Sequence, residues 1–190
     1  RFISFGSGSS GNCYYLSNDE SAVLIDAGIG IRRLKRCIKE YGLSFANVKG
    51  IIITHDHADH VKAAGYVSQE YNLPVYATEL VYKGMCGNYH ATKKVDADKI
   101  VLIEKEEEFT LAGFHITPFS IPHDSAENVG YCIRYADETF TIMTDVGMIT
   151  DCIKDYILKS NYLVLEANYD EEMVAVAATV RGKIDAEKIA

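Results

Sequence analysis

Three of the chain's six histidines fall within six consecutive positions, in the run His55-Asp56-His57-Ala58-Asp59-His60. Imidazole nitrogens and carboxylate oxygens are the donors that hold zinc, manganese and similar divalent ions. His55 and His57 stand two apart, so on extended backbone they point to the same side. Asp59 and His60 come one step later, where Asp59 is placed to start a helix. A strand end that turns into a helix start aims both pairs at one spot. The pattern reads as a site for one or two metal ions, against the alternative of a polar turn with solvated histidines.

The elements that must hold this cluster lie on either side of it. The apolar residues 48–53 form a strand leading into it, and a helix is expected from Asp59 to about residue 71, with Val61, Ala64 and Val67 on its apolar face. Upstream, short strands at 2–5 and 13–17 flank the loop Gly6-Ser7-Gly8-Ser9-Ser10-Gly11-Asn12. That loop lacks the Gly-Lys-Ser/Thr ending of a P-loop; it is either a turn or a place where backbone amides approach an anion. A third strand, 21–25, delivers Asp26-Ala27-Gly28, in which Asp26 is either a turn cap or a carboxylate beside a strand-edge site. The helix at 31–41 buries Ile31, Leu34, Ile38 and Tyr41 and stops at Gly42. Its other side carries Arg32, Arg33, Lys35, Arg36 and Lys39, either a solvated face or a nucleic-acid contact.

Downstream, a strand at 74–77, a helix capped by Thr78 and ending near 85, and a strand at 100–103 follow, with His90 exposed between them. From residue 109 strands succeed one another: 109–111, 114–119, 129–135 and 139–144, with turns at Gly113 and Ala136-Asp137-Glu138. His115 is inside a strand and reads as structural. His123 follows Pro122 where the strand has ended, and loops at strand ends are where ligands collect. The run 140–144 ends in Asp145-Val146-Gly147, mirroring the way Ile25 leads into Asp26-Ala27-Gly28. A helix at 151–159 and a buried strand at 162–165 complete an α+β pattern, with helices outside two sheets.

At 190 residues, 48% hydrophobic and 24% charged, the chain has the makings of one globular domain with a sizeable core. No apolar run approaches the ~20 residues of a membrane span. The net charge of −8 argues against a nonspecific electrostatic grip on nucleic acid, although bound metal would supply local positive charge. Cys13, Cys37, Cys86, Cys132 and Cys152 are odd in number and show no CxxC spacing; they read as small buried hydrophobes in a reducing cytoplasm. The chain begins at Arg1 rather than Met, so a preceding segment, a removed signal peptide included, stays open.

Taken with His123 and Asp145, the run from His55 to His60 resembles the metal-binding motifs of the metallo-β-lactamase superfamily. The resemblance implies an αββα four-layer sandwich, here one domain over residues 1–190, and two divalent ions, zinc or manganese. One ion would take His55, His57 and His123, the other Asp59 and His60, with Asp145 bridging and Asp26 bracing the metal loop. Such ions, ~3.5–4 Å apart, activate water for hydrolysis, and Asp59 would orient that water or accept its proton. Two further stretches, Ser7-Gly8-Ser9-Ser10-Gly11-Asn12-Cys13 and Leu165-Glu166-Ala167-Asn168-Tyr169-Asp170, are similar to the YycJ/WalJ-type branch. Its members are bacterial cytoplasmic proteins regarded as DNA exonucleases or related phosphodiesterases.

That branch implies a metal-dependent phosphodiesterase or exonuclease, DNA preferred over RNA as substrate, Ser9, Ser10 and Asn12 as substrate contacts, and a cytoplasmic location. The alternatives are a metallo-hydrolase of a small phosphodiester, lactone or thioester, and a non-catalytic metal-binding protein with a lost second site. The last rests on a departure: no histidine follows His123, where relatives carry a Gly-His-Leu-Ser motif. The sequence joins abruptly at Met173, and the C-terminal part is expected to be incomplete after about 173.

Overall fold

The strand that runs into the histidine cluster is the fourth of a six-stranded sheet, in a computed structural model that describes residues 1–122, 125 and 127–167. His123 and residues 168–190, with the expectations that fall on them, lie outside the described residues. Two compact units divide the chain: Arg1–Ile103 with Leu111–Gly113, and Glu104–Thr110 with the chain from Phe114 onward.

In the first unit, β1 (Phe2–Gly6), β2 (Cys13–Ser17) and β3 (Ala22–Ile25) form an antiparallel meander. β3 then pairs in parallel with β4 (Val48–Ile52), which pairs with β5 (Val75–Ala77), which pairs with β6 (Ile100–Leu102). All four residues of β3 are buried, as its unbroken apolar run requires. The crossovers are helical: α1 (Ile31–Glu40) between β3 and β4, then α2 (Ala58–Val61) and α3 (Ala64–Tyr71) between β4 and β5, then α4 (Glu79–Gly87) before β6. Leu34 and Ile38 of α1, Ala64 and Val67 of α3, and Val81 and Met85 of α4 join the sheet's Leu24, Ile51 and Val75 in one core.

The continuous helix expected from Asp59 is broken. Its start is Ala58, with His57 as N-cap, and it stops at Val61. The Ala63 N–H leaves the helical ladder to donate to the Ala27 carbonyl at 2.7 Å, so the chain re-enters a helix at Ala64. A tertiary bond has overridden a helical pattern. At the end of α1, Gly42 takes φ 67° and closes the helix as expected.

The second unit holds a sheet in the order β11-β10-β9-β8-β7, from β7 (Phe109–Leu111), β8 (Phe114–Ser120), β9 (Val129–Tyr135), β10 (Glu138–Val146) and β11 (Tyr162–Ala167). β10 and β11 run parallel, joined by α5 (Asp151–Lys159), which Thr150 caps by accepting the Ile153 N–H. Ile153 and Ile157 of α5 pack with Phe119, Met143 and Val146, and the Tyr156 ring stacks on Phe119 at 3.9 Å between centroids.

The cysteines are less uniform than expected. All five are free, but only Cys13 and Cys132 are buried; Cys86 and Cys152 lie on outer helix faces and Cys37 is half-buried. His90 is exposed, and His115 pairs with Glu108 at 3.1 Å on the surface.

Candidate metal centre

Asp26 organises the loop that carries the histidines. It sits one residue past β3 with φ 57°, and its N–H donates to the Ile52 carbonyl at 2.9 Å. This turns a fully buried carboxylate toward the end of β4. Its Oδ1 accepts the Thr54 N–H at 2.8 Å, and its Oδ2 accepts both the Thr54 hydroxyl and the His60 Nδ1–H at 2.8 Å. Three donors on one buried carboxylate repay its desolvation. Thr54 Oγ1 also lies 3.1 Å from His55 Nδ1. With its hydroxyl hydrogen given to Asp26, that oxygen can only accept, so His55 Nδ1 carries the proton. Both imidazoles are thereby held as Nδ1–H tautomers, which leaves each Nε2 with the lone pair a metal requires.

The side chains gather closely. The His55 and His60 rings lie 3.9 Å apart between centroids, and the His55 and His57 rings 4.7 Å apart at 75°. The Asp59 Oδ2 stands 3.7 Å from His60 Nε2 and its carboxylate is 33% exposed, while His57 is open to solvent. Buried nitrogens backed by a carboxylate, with an exposed imidazole and carboxylate at the mouth, are a donor set that fits zinc or manganese. Cys13 adds no thiolate to it: burial, and then the neighbouring Asp26 charge, push its thiol well above the ordinary value.

The loop is also bolted from behind through its backbone. Ala27 N–H donates to the His60 carbonyl at 2.7 Å, Asn12 N–H to the Asp59 carbonyl at 2.7 Å, and Gly28 N–H to the Asn12 carbonyl at 2.8 Å. This lattice needs Gly28, because a Cβ there would stand 1.5 Å from the Asp59 oxygen. Asn12, expected as a substrate contact, is only 1% exposed. Its Oδ1 accepts the Gly8 N–H at 2.8 Å and its Nδ2 donates toward His60 Nε2 at 2.8 Å and Asp59 Oδ2 at 3.4 Å. It ties the glycine/serine loop to the histidine loop, while Ser9 and Ser10 stay exposed. On the other flank, Asn88 Nδ2 donates to the Asp56 carbonyl at 2.6 Å.

In the second unit Asp145 is the penultimate residue of β10, at the strand end as expected. The pairing with β11 is irregular there, between Met143 and Val146, and Asp145 takes φ 53°. Asn128 Nδ2 holds the Thr144 carbonyl just before it at 2.9 Å. Of the six expected ligands, the structure brings His55, His57, Asp59 and His60 into one loop. Asp145 is described within its own unit, and His123 lies outside the described residues. Sequence reasoning missed Thr54, whose hydroxyl next to the first ligand, two residues past β4, was the available signal.

Sheets and helices in this order define a fold class. The structure matches that of Rm3 metallo-β-lactamase with a TM-score of 0.68 at 14% identity, covering 94% of this chain and 81% of that one. The fold is the α+β metallo-β-lactamase type. Residues 21–188 match the Beta-lactamase superfamily domain, and the chain belongs to that family. Over 174 residues it is 32% identical to Exodeoxyribonuclease YycJ of Bacillus anthracis, covering 92% of this chain and 65% of the relative. It is 28% identical to Exodeoxyribonuclease WalJ of Streptococcus pneumoniae, covering 92% and 64%. The chain thus spans under two thirds of the length of these two relatives.

Proposed function

We propose that the chain is the metal-binding part of a hydrolase that cuts phosphodiester bonds in nucleic acid, DNA in preference to RNA. The observation that carries this reading is the Asp26 network, which holds His55 and His60 as Nδ1–H tautomers with the Asp59 carboxylate 3.7 Å from His60 Nε2. The two relatives named as exodeoxyribonucleases support the choice of substrate. Two ions, zinc or manganese, are part of the proposal, with His123 and Asp145 as further ligands. A bound divalent ion supplies Lewis acidity toward a phosphoryl oxygen and lowers the pKa of water to ~7. Asp59, at the mouth, orients the attacking water and takes its proton. Asp26 and Thr54 fix two imidazoles as Nδ1–H donors and aim their rings.

The exposed Arg32, Arg36 and Lys39 of α1 add local positive charge to an otherwise acidic chain. Among the described residues no helix is long and apolar enough to cross a membrane. The five free thiols favour a reducing cytoplasm.

The test is digestion of 5′-labelled DNA duplex, DNA single strand and RNA of one sequence, with zinc or manganese added, by wild-type protein and His57→Ala. Bis-p-nitrophenyl phosphate and a lactone are run beside them. Equal nuclease activity in the variant refutes the reading. Turnover of the lactone alone moves the assignment to small-molecule hydrolysis, which the net charge of −8 favours.

A further inference from the structure

Beyond α4 the chain runs into an exposed aromatic pair. Tyr89 is 81% exposed, the highest value among the large apolar side chains described. The His90 ring lies against it, with centroids 3.9 Å apart and planes 37° apart. Single exposed rings are common on protein surfaces; this one is set apart by the second ring laid against it and by the turn that fixes both.

The pair is held rather than loose. Asn88 Oδ1 accepts the His90 N–H at 2.9 Å, while its Nδ2 clips the turn to the Asp56 carbonyl. The Ala91 N–H closes on the Asn88 carbonyl at 3.2 Å. Lys94 Nζ donates to the Met85 carbonyl at 3.0 Å and to the Asn88 carbonyl, tying the end of α4 down. α4 itself packs on the same loop residue, since a Cβ on Gly84 would stand 2.1 Å from Asp56 Oδ2. Asp56 lies between His55 and His57. One asparagine thus couples an exposed aromatic pair to the residue flanked by two metal-ligand candidates.

We propose that Tyr89 and His90 form a stacking subsite that receives an unpaired nucleobase beside the metal loop, so that single strands and frayed ends are preferred over closed duplex. This rests on the nucleic-acid reading above and narrows it. Every base offers a π-face, so stacking on tyrosine holds a strand without reading its sequence. A chain of net charge −8 draws little from long-range attraction to phosphate, so short-range contacts of this kind must supply more of the grip. A closed duplex keeps its bases stacked on one another and offers the pair no face.

Binding and cleavage are measured separately, on the full chain with manganese. A fluorescein-labelled single-stranded oligonucleotide is titrated by anisotropy against wild type, Tyr89→Ala and Tyr89→Trp, beside the same strand built with abasic sites. Tyr89→Ala is expected to weaken binding of the normal strand about tenfold and to leave the abasic strand unchanged, while Tyr89→Trp restores binding. Manganese bound per chain, by metal analysis, is expected to be the same in all three, which shows the metal loop intact. Equal affinity of wild type and Tyr89→Ala for the normal strand overturns the subsite, as does an equal loss on normal and abasic strands. Tyr89-dependent binding without cleavage leaves the subsite standing and removes the nuclease. Cleavage indifferent to Tyr89 does the reverse, and a wild type that neither binds nor cuts removes both.

Discussion

Replacing Gly28 by alanine adds one methyl group where the Asp59 carbonyl already stands, 1.5 Å from the Cβ position, with the His60 nitrogen at 2.6 Å. Gly28 is not in the left-handed region, so alanine could adopt its backbone angles and the whole effect is one of space. An ordinary carbon–oxygen contact is ~3.3 Å, so the Asp59 carbonyl must retreat by about 2 Å. That movement opens the bonds from Asn12 N–H to Asp59, from Ala27 N–H to His60 and from Gly28 N–H to Asn12. At about 1 kcal/mol net for each, the cost is about 3 kcal/mol. With a urea slope of ~2 kcal/mol per molar, the midpoint falls by about 1.5 M. Gly30→Ala is the control, because nothing lies within 4 Å of a Cβ there and its φ of −62° suits alanine. Urea unfolding of both variants by circular dichroism, with zinc affinity measured against a chromogenic chelator, tests the argument. If Gly28→Ala unfolds where Gly30→Ala does and holds zinc as tightly, the backbone lattice is not what positions the metal loop.

Asp26→Asn places an amide NH₂ where three donors now converge, so one of them loses its acceptor. The expected loss is about 1–3 kcal/mol of stability, and metal affinity is expected to fall ~10–100-fold in the same chelator competition. In native protein at pH 7 a maleimide is expected to label Cys86 and Cys152 and to spare Cys13 until urea is added, read by peptide mass spectrometry. Because burial raises the Cys13 thiol in the folded chain, folding is undisturbed below the ordinary value of 9.0; above it the unfolded chain ionises and the folded one resists. Unfolding is therefore expected to become easier as pH rises past that value, and less steeply so in Cys13→Ala, measured by urea midpoints across the alkaline range.

Much of this arrangement was legible where local pattern and tertiary demand agree. The apolar run from Ile51 to Ile53 ends at the histidines because a buried parallel strand must stop where polar side chains begin. The mirrored Ile25-Asp26 and Thr144-Asp145 steps showed where carboxylates leave the sheets. The break at Lys62 and Ala63 was illegible, since Val61, Ala64 and Val67 keep helical spacing across it and only the Ala27 carbonyl decides otherwise. The role of Asn12 was hidden for the same reason: a Gly/Ser-rich loop advertises flexibility, and nothing local says that its last side chain is buried 47 and 48 residues away against Asp59 and His60. Cys86 and Cys152 misled because cysteine's average burial says little about which side of an amphipathic helix carries it.

Asp26 and Asp145 share the left-handed backbone, at φ 57° and 53°, and this governs how each position can be dissected. Outside glycine, asparagine and aspartate, an L-residue pays ~1–2 kcal/mol for that conformation. An alanine scan would therefore report strain and lost chemistry in a single number at these two positions. Asparagine alone removes the charge while keeping both the shape and the backbone preference, and so it is the substitution there that leaves backbone strain out of the result. The same constraint narrows the mutational paths open at each: a change made through either carboxylate can pass through very few residues before the strand end itself must be rebuilt.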